Sequence, residues 1–560
     1  MPHRPTTMGL ETEFGMLVQN GDEEISEYFS QYAAYETVKA IKRINLFVDR
    51  GLEEIEDIEE HDRAEEEAQR NRLLHLRYEK RRELSAYALR QRLGMSGFIL
   101  ETGARWYVDM GHPEYSTPET HNPRTLVLVQ KAGDVIAEQC RRFAEVTLRS
   151  SLSRPDLTLH IHRNNSDGKG HSYAGHENYS LSIELFDQIV RHLEHNRPSR
   201  RARRTLDDMF TYTPTLLTHA VLKFFVTRQI VTGSGKVGSE LYNAPIDYQI
   251  SQRADFMMQP IGISTIHGRG IINTRNQPLA DYDLMRRFHV ICGDSNMSEL
   301  SIYLKCGITA LFFMMLEEGY IQASACDLME PLADSVHSYR RVSRDLTLQK
   351  ELLLADGSST TALQTQMQYC MLAKSFVEQA DFAPVWTDVV HKWEAVLNGL
   401  DNDRTKDPWA SNLDWVVKEW LLNGFQKRHK VDPLDIRCQA LALDYHDINP
   451  ERSNYNRLIN AGKIMRIATD TEIMYMTHER PPDSRAWLRG LLIKKYSSLI
   501  VDIGWDYALF ENHALLDMSD PHMGTKEHID PHIADDPSLT TFLERIQPRF
   551  RMRKLKPRHG

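Results

Sequence analysis

Gly103-Ala-Arg-Trp-Tyr-Val-Asp-Met-Gly-His-Pro-Glu-Tyr-Ser-Thr117 is the stretch on which the reading of this chain turns. Side chains alternate along a strand, so Arg105, Tyr107 and Asp109 share one face while Trp106 and Val108 point into a core. A polar, charged face followed at once by His112-Pro-Glu114, read as a turn, has the character of an active-site wall. A second strand, over residues 8–18, repeats the arrangement. Glu11 and Glu13 stand two apart and share a face; Leu10, Thr12 and Phe14 share the other.

Working outward, the 560 residues can bury a large core in more than one domain, and the 41% hydrophobic and 26% charged content is that of an ordinary globular enzyme. A net charge of −10 argues against general affinity for nucleic acid. Two local basic runs, residues 197–204 and 549–558, read as solvated loops or tails. The six cysteines are scattered without a CxxC pair, which fits a reducing cytoplasm rather than a disulfide framework. The first residues, Met1-Pro-His-Arg-Pro5, lack the apolar stretch of a signal peptide. The longest apolar run, near residues 308–316, is far shorter than the ~20 residues that span a bilayer. The expectation is a cytoplasmic protein with no nucleic-acid or membrane partner.

Short strands and separated helices alternate irregularly, which predicts an α+β fold rather than a βαβ repeat. Helix is expected over residues 28–50, 124–152, 298–320 and 360–400. Strands are expected over 98–109, 157–162, 271–274 and 289–292, and 224–231 reads as a buried strand or helix end. Residues 51–93 form a highly charged helical insertion whose apolar positions are too sparse for a heptad seam. Pro481-Pro482 is the best candidate for a domain joint, giving a catalytic domain over 1–477 and a small domain over 478–560. The latter is expected to hold a helix at 484–497, a strand-like stretch at 499–510 and a basic tail.

Glu11, Glu13, Glu114, His176 and His289 are the best metal-ligand candidates, and a carboxylate-rich set suits Mg²⁺. The glycines around His176-Glu-Asn178 mark either a close backbone approach or an ordinary turn. Thr232-Gly-Ser-Gly-Lys-Val-Gly238 fails as a P-loop, because Ile230 stands where glycine is required and Val237 where Ser or Thr must follow the lysine. It remains a glycine-rich loop able to offer amides to an anion. Arg269, Arg275, Arg286 and Arg287 are either a phosphate clamp or surface salt bridges.

Together these segments closely resemble the family of Pup ligases and Pup deamidase/depupylases, distant relatives of glutamine synthetase. The matching stretches include Gly9-Leu-Glu-Thr-Glu-Phe-Gly15, residues 103–117, Arg163-Asn-Asn165, residues 172–179, Gly270-Ile-Ile-Asn-Thr-Arg275, residues 287–296, Leu443-Asp-Tyr-His-Asp447 and residues 481–490. They run in family order over nearly the whole chain. The resemblance implies a glutamine-synthetase-like large domain, with a curved antiparallel sheet cradle flanked by helices, and a small C-terminal domain. ATP and Mg²⁺ would lie in the cradle. Glu11, Tyr107 and Glu114 would be metal ligands, with His176 and His289 as additions. Arg105, Thr117, Asn178, Arg275 and Trp505 would contact the nucleotide, and Asp109 would be the central catalytic carboxylate.

The family holds two opposite activities: joining the modifier Pup to a lysine, or converting its C-terminal glutamine to glutamate and cleaving it from lysines. The spacing Asp109-Met-Gly-His-Pro-Glu114, the Thr232–Gly238 loop, the insertion before Gly103 and Met523-Gly-Thr-Lys-Glu-His528 all resemble the deamidase form. The partners implied are a Pup-like disordered modifier and pupylated proteins. Two features depart from the family: the long helical insertion, and Asn276-Gln-Pro-Leu279, where Asp-Glu-Pro-His is usual. The alternatives are the ligase and a non-catalytic scaffold acting through residues 51–93. The set Glu11, Tyr107, Asp109, Glu114 and His176 weighs against the scaffold.

Overall fold

Strand pairing organises the computed structural model, which describes residues 6–21, 27–49, 97–173, 175–190, 214–275, 279–379 and 382–554. Its central sheet has seven strands: β1 (Met8–Glu13), β2 (Phe47–Asp49), β3 (Gly97–Leu100), β4 (Arg105–Asp109), β5 (His112–Ser116), β6 (Gly175–Leu181) and β7 (Arg286–Val290). Their spatial order is β7-β6-β1-β5-β4-β3-β2, and every pair is antiparallel. The chain has the α+β architecture expected of it.

One face of this sheet is apolar and covered by helices. Met8, Leu10, Trp106, Tyr115, Tyr179 and Phe288 are all buried there. Helices Pro123–Ser151, Leu216–Thr232 and Glu299–Glu317 supply most of the opposing surface. Asn122 starts the first of them by accepting hydrogen bonds from the amides of Arg124 and Thr125, with Pro123 in the first helical turn. Phe312 stacks on Phe224 with ring centroids 4.0 Å apart, locking two of these helices together. Glu177 points into the same core, where Arg228 Nη1 and Nη2 hold both of its oxygens at 2.7 and 2.8 Å.

Glu299–Glu317 is long and apolar enough to cross a membrane, with a mean hydropathy of 1.5, yet its residues 299–316 are buried inside the fold. The apolar segment is therefore longer than the run at 308–316 suggested, because buried Ser301 and Lys305 interrupt it in sequence but not in space.

Several expected boundaries move. The strand over 8–18 breaks at Phe14: β1 stays in the central sheet, while Gly15–Asn20 pairs with Leu157–His162. A Cβ on Gly15 would stand 2.5 Å from Tyr173 Oη, so the crossing needs glycine. The helix over 28–50 ends at Lys39, passes through a 3₁₀ turn at Ala40–Arg43 and gives way to β2. The strand over 98–109 is two strands, β3 and β4, folded back on each other through Gly103 at φ 81°. His112-Pro-Glu114 is strand, not turn; the turn is Met110-Gly111, with φ of 42° and 88°. Residues 224–231 lie inside the helix Leu216–Thr232.

The C-terminal residues build a second core. Helix Ala486–Tyr496 and helix Leu539–Ile546 pack on a four-stranded sheet, Ile500–Ile503, Tyr507–Phe510, Ala514–Asp517 and Met552–Lys554. Leu488, Leu492, Ile503, Phe510, Leu516 and Phe542 fill it. Part of the expected basic tail is thus the edge strand of this sheet. The insertion at 51–93, the basic run at 197–204 and Asn276–Pro278 lie outside the described residues.

Candidate active site

Residues directly opposite in an antiparallel pair project from the same face. Glu11 stands opposite both Ser116 and His176, and Glu13 opposite Glu114. Glu114 also faces Tyr107, Arg105 faces Ser116, and Asp109 faces His112. On the other flank, Asn178 faces Gly9 and His289, and Arg287 faces Ser180. The register therefore gathers Glu11, Glu13, Arg105, Tyr107, Asp109, Glu114, His176, Asn178 and His289 on the face turned away from the helices.

Two groups on this face have the makings of cation sites. The ligand atoms of Glu11, His176 and His289 all lie within 4.8 Å of one another, and so do those of Glu13, Asp109 and Glu114. Glu11 is the hub of the first. His176 Nδ1 lies 3.2 Å and His289 Nε2 3.5 Å from its Oε2, while Arg287 Nη1 and Asn178 Nδ2 approach Oε1 at 3.3 and 3.0 Å. Burial alone would raise the Glu11 carboxyl, but His176, His289 and Arg287 together hold it well below the usual range. Burial and Arg287 drive His289 down to about 3, so its ring is neutral and free to ligate.

The second group gathers three carboxylates. Burial pushes the Glu114 carboxyl well up, and the carboxylates of Asp109, Glu13 and Glu11 push it further. Tyr107 Oη donates to Glu114 Oε1. Among the described residues Glu114 Oε2 is buried with no hydrogen-bond partner, and neither ring nitrogen of His289 makes a hydrogen bond. Converging carboxylates, an orphaned carboxylate oxygen and a neutral buried imidazole fit divalent cations, which would add positive charge and fill the open coordination.

An adjoining cleft is lined by Met8, Glu11, Thr117, Asn178, Leu279 and Trp505 among others. Three of the five expected nucleotide contacts, Thr117, Asn178 and Trp505, are therefore on its wall. Arg105 lies deeper on the sheet, its guanidinium carbon 3.9 Å from the centre of the Tyr107 ring. Arg275 follows strand Arg269–Asn273, with its amide on Asn273 Oδ1, and is not among the lining residues. Leu279, Ala280 and Met285 make that stretch of wall apolar.

Of the four arginines read as a phosphate clamp or as surface salt bridges, Arg286 and Arg287 line the cleft, and Arg287 reaches Glu11. It stands two residues before His289, so strand alternation alone could have placed both on one face. Arg485 lines the cleft from the C-terminal core, and no local signal announces it. The glycine-rich loop at 233–238 does not offer its amides to an anion. Ser234 N donates to Asp294 Oδ2, Gly235 N to Ile250 O and Gly238 N to Asp247 O.

A helix-backed antiparallel sheet with paired cation-ready clusters beside a mixed cleft is the architecture of a carboxylate-handling enzyme. The chain belongs to the Pup-ligase protein family, which it matches over residues 6–509. It is 36% identical to a depupylase of Acidothermus cellulolyticus over 78% of this chain and 80% of that protein. A Pup–protein ligase of Acidimicrobium ferrooxidans is 33% identical over 78% of this chain and 89% of the relative. Among solved structures, the ligase PafA in complex with the prokaryotic ubiquitin-like protein Pup superposes with a TM-score of 0.72 at 26% identity, covering 98% of this chain and 93% of that one. PafA in complex with ADP gives a TM-score of 0.65 at 27% identity, covering 89% and 97%.

Proposed function

We propose that this chain is a nucleotide- and Mg²⁺-dependent hydrolase of a Pup-like modifier. It deamidates the modifier's C-terminal glutamine and cleaves its isopeptide bond to lysines of pupylated proteins. The observation that carries the reading is the position of Asp109. It ends β4 beside Glu13 and Glu114, at a two-residue turn whose length matches the deamidase-like spacing. Support comes from relatives named depupylase or Pup deamidase/depupylase at 34–36% identity. The PafA complexes with Pup and with ADP support the modifier and the nucleotide.

Glu11, His176 and His289 would hold one cation, and Glu13, Asp109 and Glu114 a second, with Tyr107 orienting Glu114. Bound Mg²⁺ would neutralise the carboxylates and polarise the oxygen of the scissile amide. Asp109 has two chemically balanced routes. It can attack the amide carbonyl, giving an anhydride while the departing ammonia or lysine amine takes a proton from solvent, after which water opens the anhydride, restores both carboxylates and returns the proton. It can instead take a proton from water as the water attacks, that proton leaving on the amine. Arg105, fixed on the Tyr107 ring, is placed to steady negative charge on this face.

Mass spectrometry with ATP, Mg²⁺ and a modifier ending in glutamine tests the proposal. The expected result is loss of the amide, and release of free modifier from a lysine conjugate. Attachment of a glutamate-ended modifier to lysine, with ADP formed and no hydrolysis, would replace it with the ligase reading. Asp109→Asn is expected to slow hydrolysis by at least about 10²-fold while nucleotide binding persists. Turnover near the wild-type rate would remove Asp109 from the chemistry.

A further inference from the structure

A third group of ligating side chains lies outside the catalytic face and has no part in the proposed reaction. His160 and His162 are two apart on strand Leu157–His162, so they project together. Their rings are parallel within 2°, with centroids 6.1 Å apart. Asp447 is brought opposite by a short antiparallel bridge. It pairs with His162, while Arg163 N donates to His446 O at 2.9 Å and Ile448 N to Ile161 O at 3.0 Å. The ligand atoms of His160, His162 and Asp447 lie within 4.8 Å of one another.

The spacing is that of metal ligands more than of a hydrogen bond. His160 Nδ1 stands 3.5 Å from Asp447 Oδ2. Two ligands of a tetrahedral ion with bonds of roughly 2.0–2.1 Å are separated by about 3.3 Å. His162 is 3% exposed.

The surroundings hold the carboxylate in place. Asn449 N donates to Asp447 Oδ1 at 2.8 Å, and Arg452 Nε donates to Oδ2 at 3.1 Å, leaving that oxygen a further lone pair. Arg452 and Arg141 bring positive charge near Asp447. Asp444 answers it: burial and the charge of Asp447 raise its carboxyl, so a second carboxylate stands within electrostatic reach.

We propose that His160, His162 and Asp447 form a binding site for a first-row transition ion of the Zn²⁺ type, which clamps the 444–452 segment onto strand Leu157–His162. Two imidazoles and one carboxylate select Zn²⁺ or Co²⁺ over Mg²⁺, which prefers oxygen ligands and retains water. The clamp would steady the strand that runs directly into Arg163-Asn164-Asn165, where Asn165 Nδ2 donates to Ser295 Oγ at 3.2 Å beneath the catalytic sheet.

The test uses the full-length, untagged chain, stripped with a chelator and titrated with Co²⁺ under saturating Mg²⁺. His289→Ala serves as the background, to silence the histidine pair of the catalytic face. One equivalent of Co²⁺ should bind with a visible d–d band, be displaced by Zn²⁺ and raise the Tm. His160→Gln, at a partly exposed position, should weaken binding at least about tenfold with an unchanged circular dichroism spectrum. In the wild-type background, His160→Gln should remove one bound equivalent and leave any bound through His289. The proposal is overturned if no Co²⁺ binds in the His289→Ala chain, or if His160→Gln leaves the band and affinity unchanged in both backgrounds.

Discussion

Glu114 shows how much chemistry one side chain's surroundings decide. Its oxygens are buried, one accepts from Tyr107 and the other has no hydrogen-bond partner among the described residues, while three carboxylates act on it. Glu114→Gln keeps the shape and the Tyr107 contact but removes a charge from a crowded site. The expected outcome is a Mg²⁺ requirement raised by about 10–100-fold, with no loss of Tm when Mg²⁺ is absent. Activity against Mg²⁺ concentration, together with thermal melts in chelator, checks both halves. A fall in Tm without Mg²⁺ would show that Glu114 is structural. Most of this face was legible residue by residue, because Glu11 and Glu13, Tyr107 and Asp109, and His176 and Asn178 each stand two apart. Arg287 belongs with His289 by the same rule. The pKa directions were not legible, since they depend on which strands become neighbours.

At the scale of elements, the β4–β5 hairpin matters most, because its turn sets where Asp109 stands. Met110 and Gly111 both have positive φ, the pattern of a two-residue type I′ turn. Met110 is 69% exposed, so its side chain is not held by packing. Met110→Asn creates the preferred Asn-Gly pair and should stabilise the protein by about 0.5–1 kcal/mol in denaturant unfolding. Gly111→Ala should do the reverse, costing about 1–2 kcal/mol, since its φ is 88° and its Cβ would meet Gln31 Cγ at 3.0 Å. A neutral result for Gly111→Ala would mean that the turn relaxes without strain. The sequence showed the alternation of β4 and its end at Asp109 but misplaced its start. Phe98, Ile99 and Leu100 are all buried because the two faces of β3 meet different cores. The stretch therefore reads as one long strand, although Gly103 folds it back.

Across the whole molecule, the joint between the two cores rests on Glu119. It accepts from Arg485 Nε at 2.6 Å and also from Arg489, while Arg489 Nη2 donates to Gly103 O at 2.8 Å. Burial would raise the Glu119 carboxyl, but Arg489 and Arg485 hold it down to about 2. A depressed carboxyl contributes stability above its unfolded pKa of about 4.3, and that stability is lost as pH falls through the folded value. Unfolding free energy should therefore fall between about pH 5 and pH 2, by roughly 3 kcal/mol from this group. Glu119→Gln should abolish that portion and cost about 3–5 kcal/mol at neutral pH, by leaving two buried guanidiniums without their carboxylate. Denaturant titrations at stepped pH measure both effects. An acid profile unchanged by Glu119→Gln would move the acid-sensitive group elsewhere.

By itself the sequence determined what is local. Alternating side chains sort polar from apolar faces over a few residues, and steric rules act within that reach. The α+β class, the chemistry of each strand's polar face and the family all follow from such short patterns and their order. Only the tertiary structure decided which faces meet. Strand order and register follow from burying apolar faces against helices far away in the chain. That burial sets Glu11 between Ser116 and His176 and Glu13 opposite Glu114, brings Trp505 and Arg485 to a cleft in the N-terminal sheet, and carries Asp447 to His160 and His162. No local pattern encodes those meetings, because the free energy that fixes them is spread through the whole core.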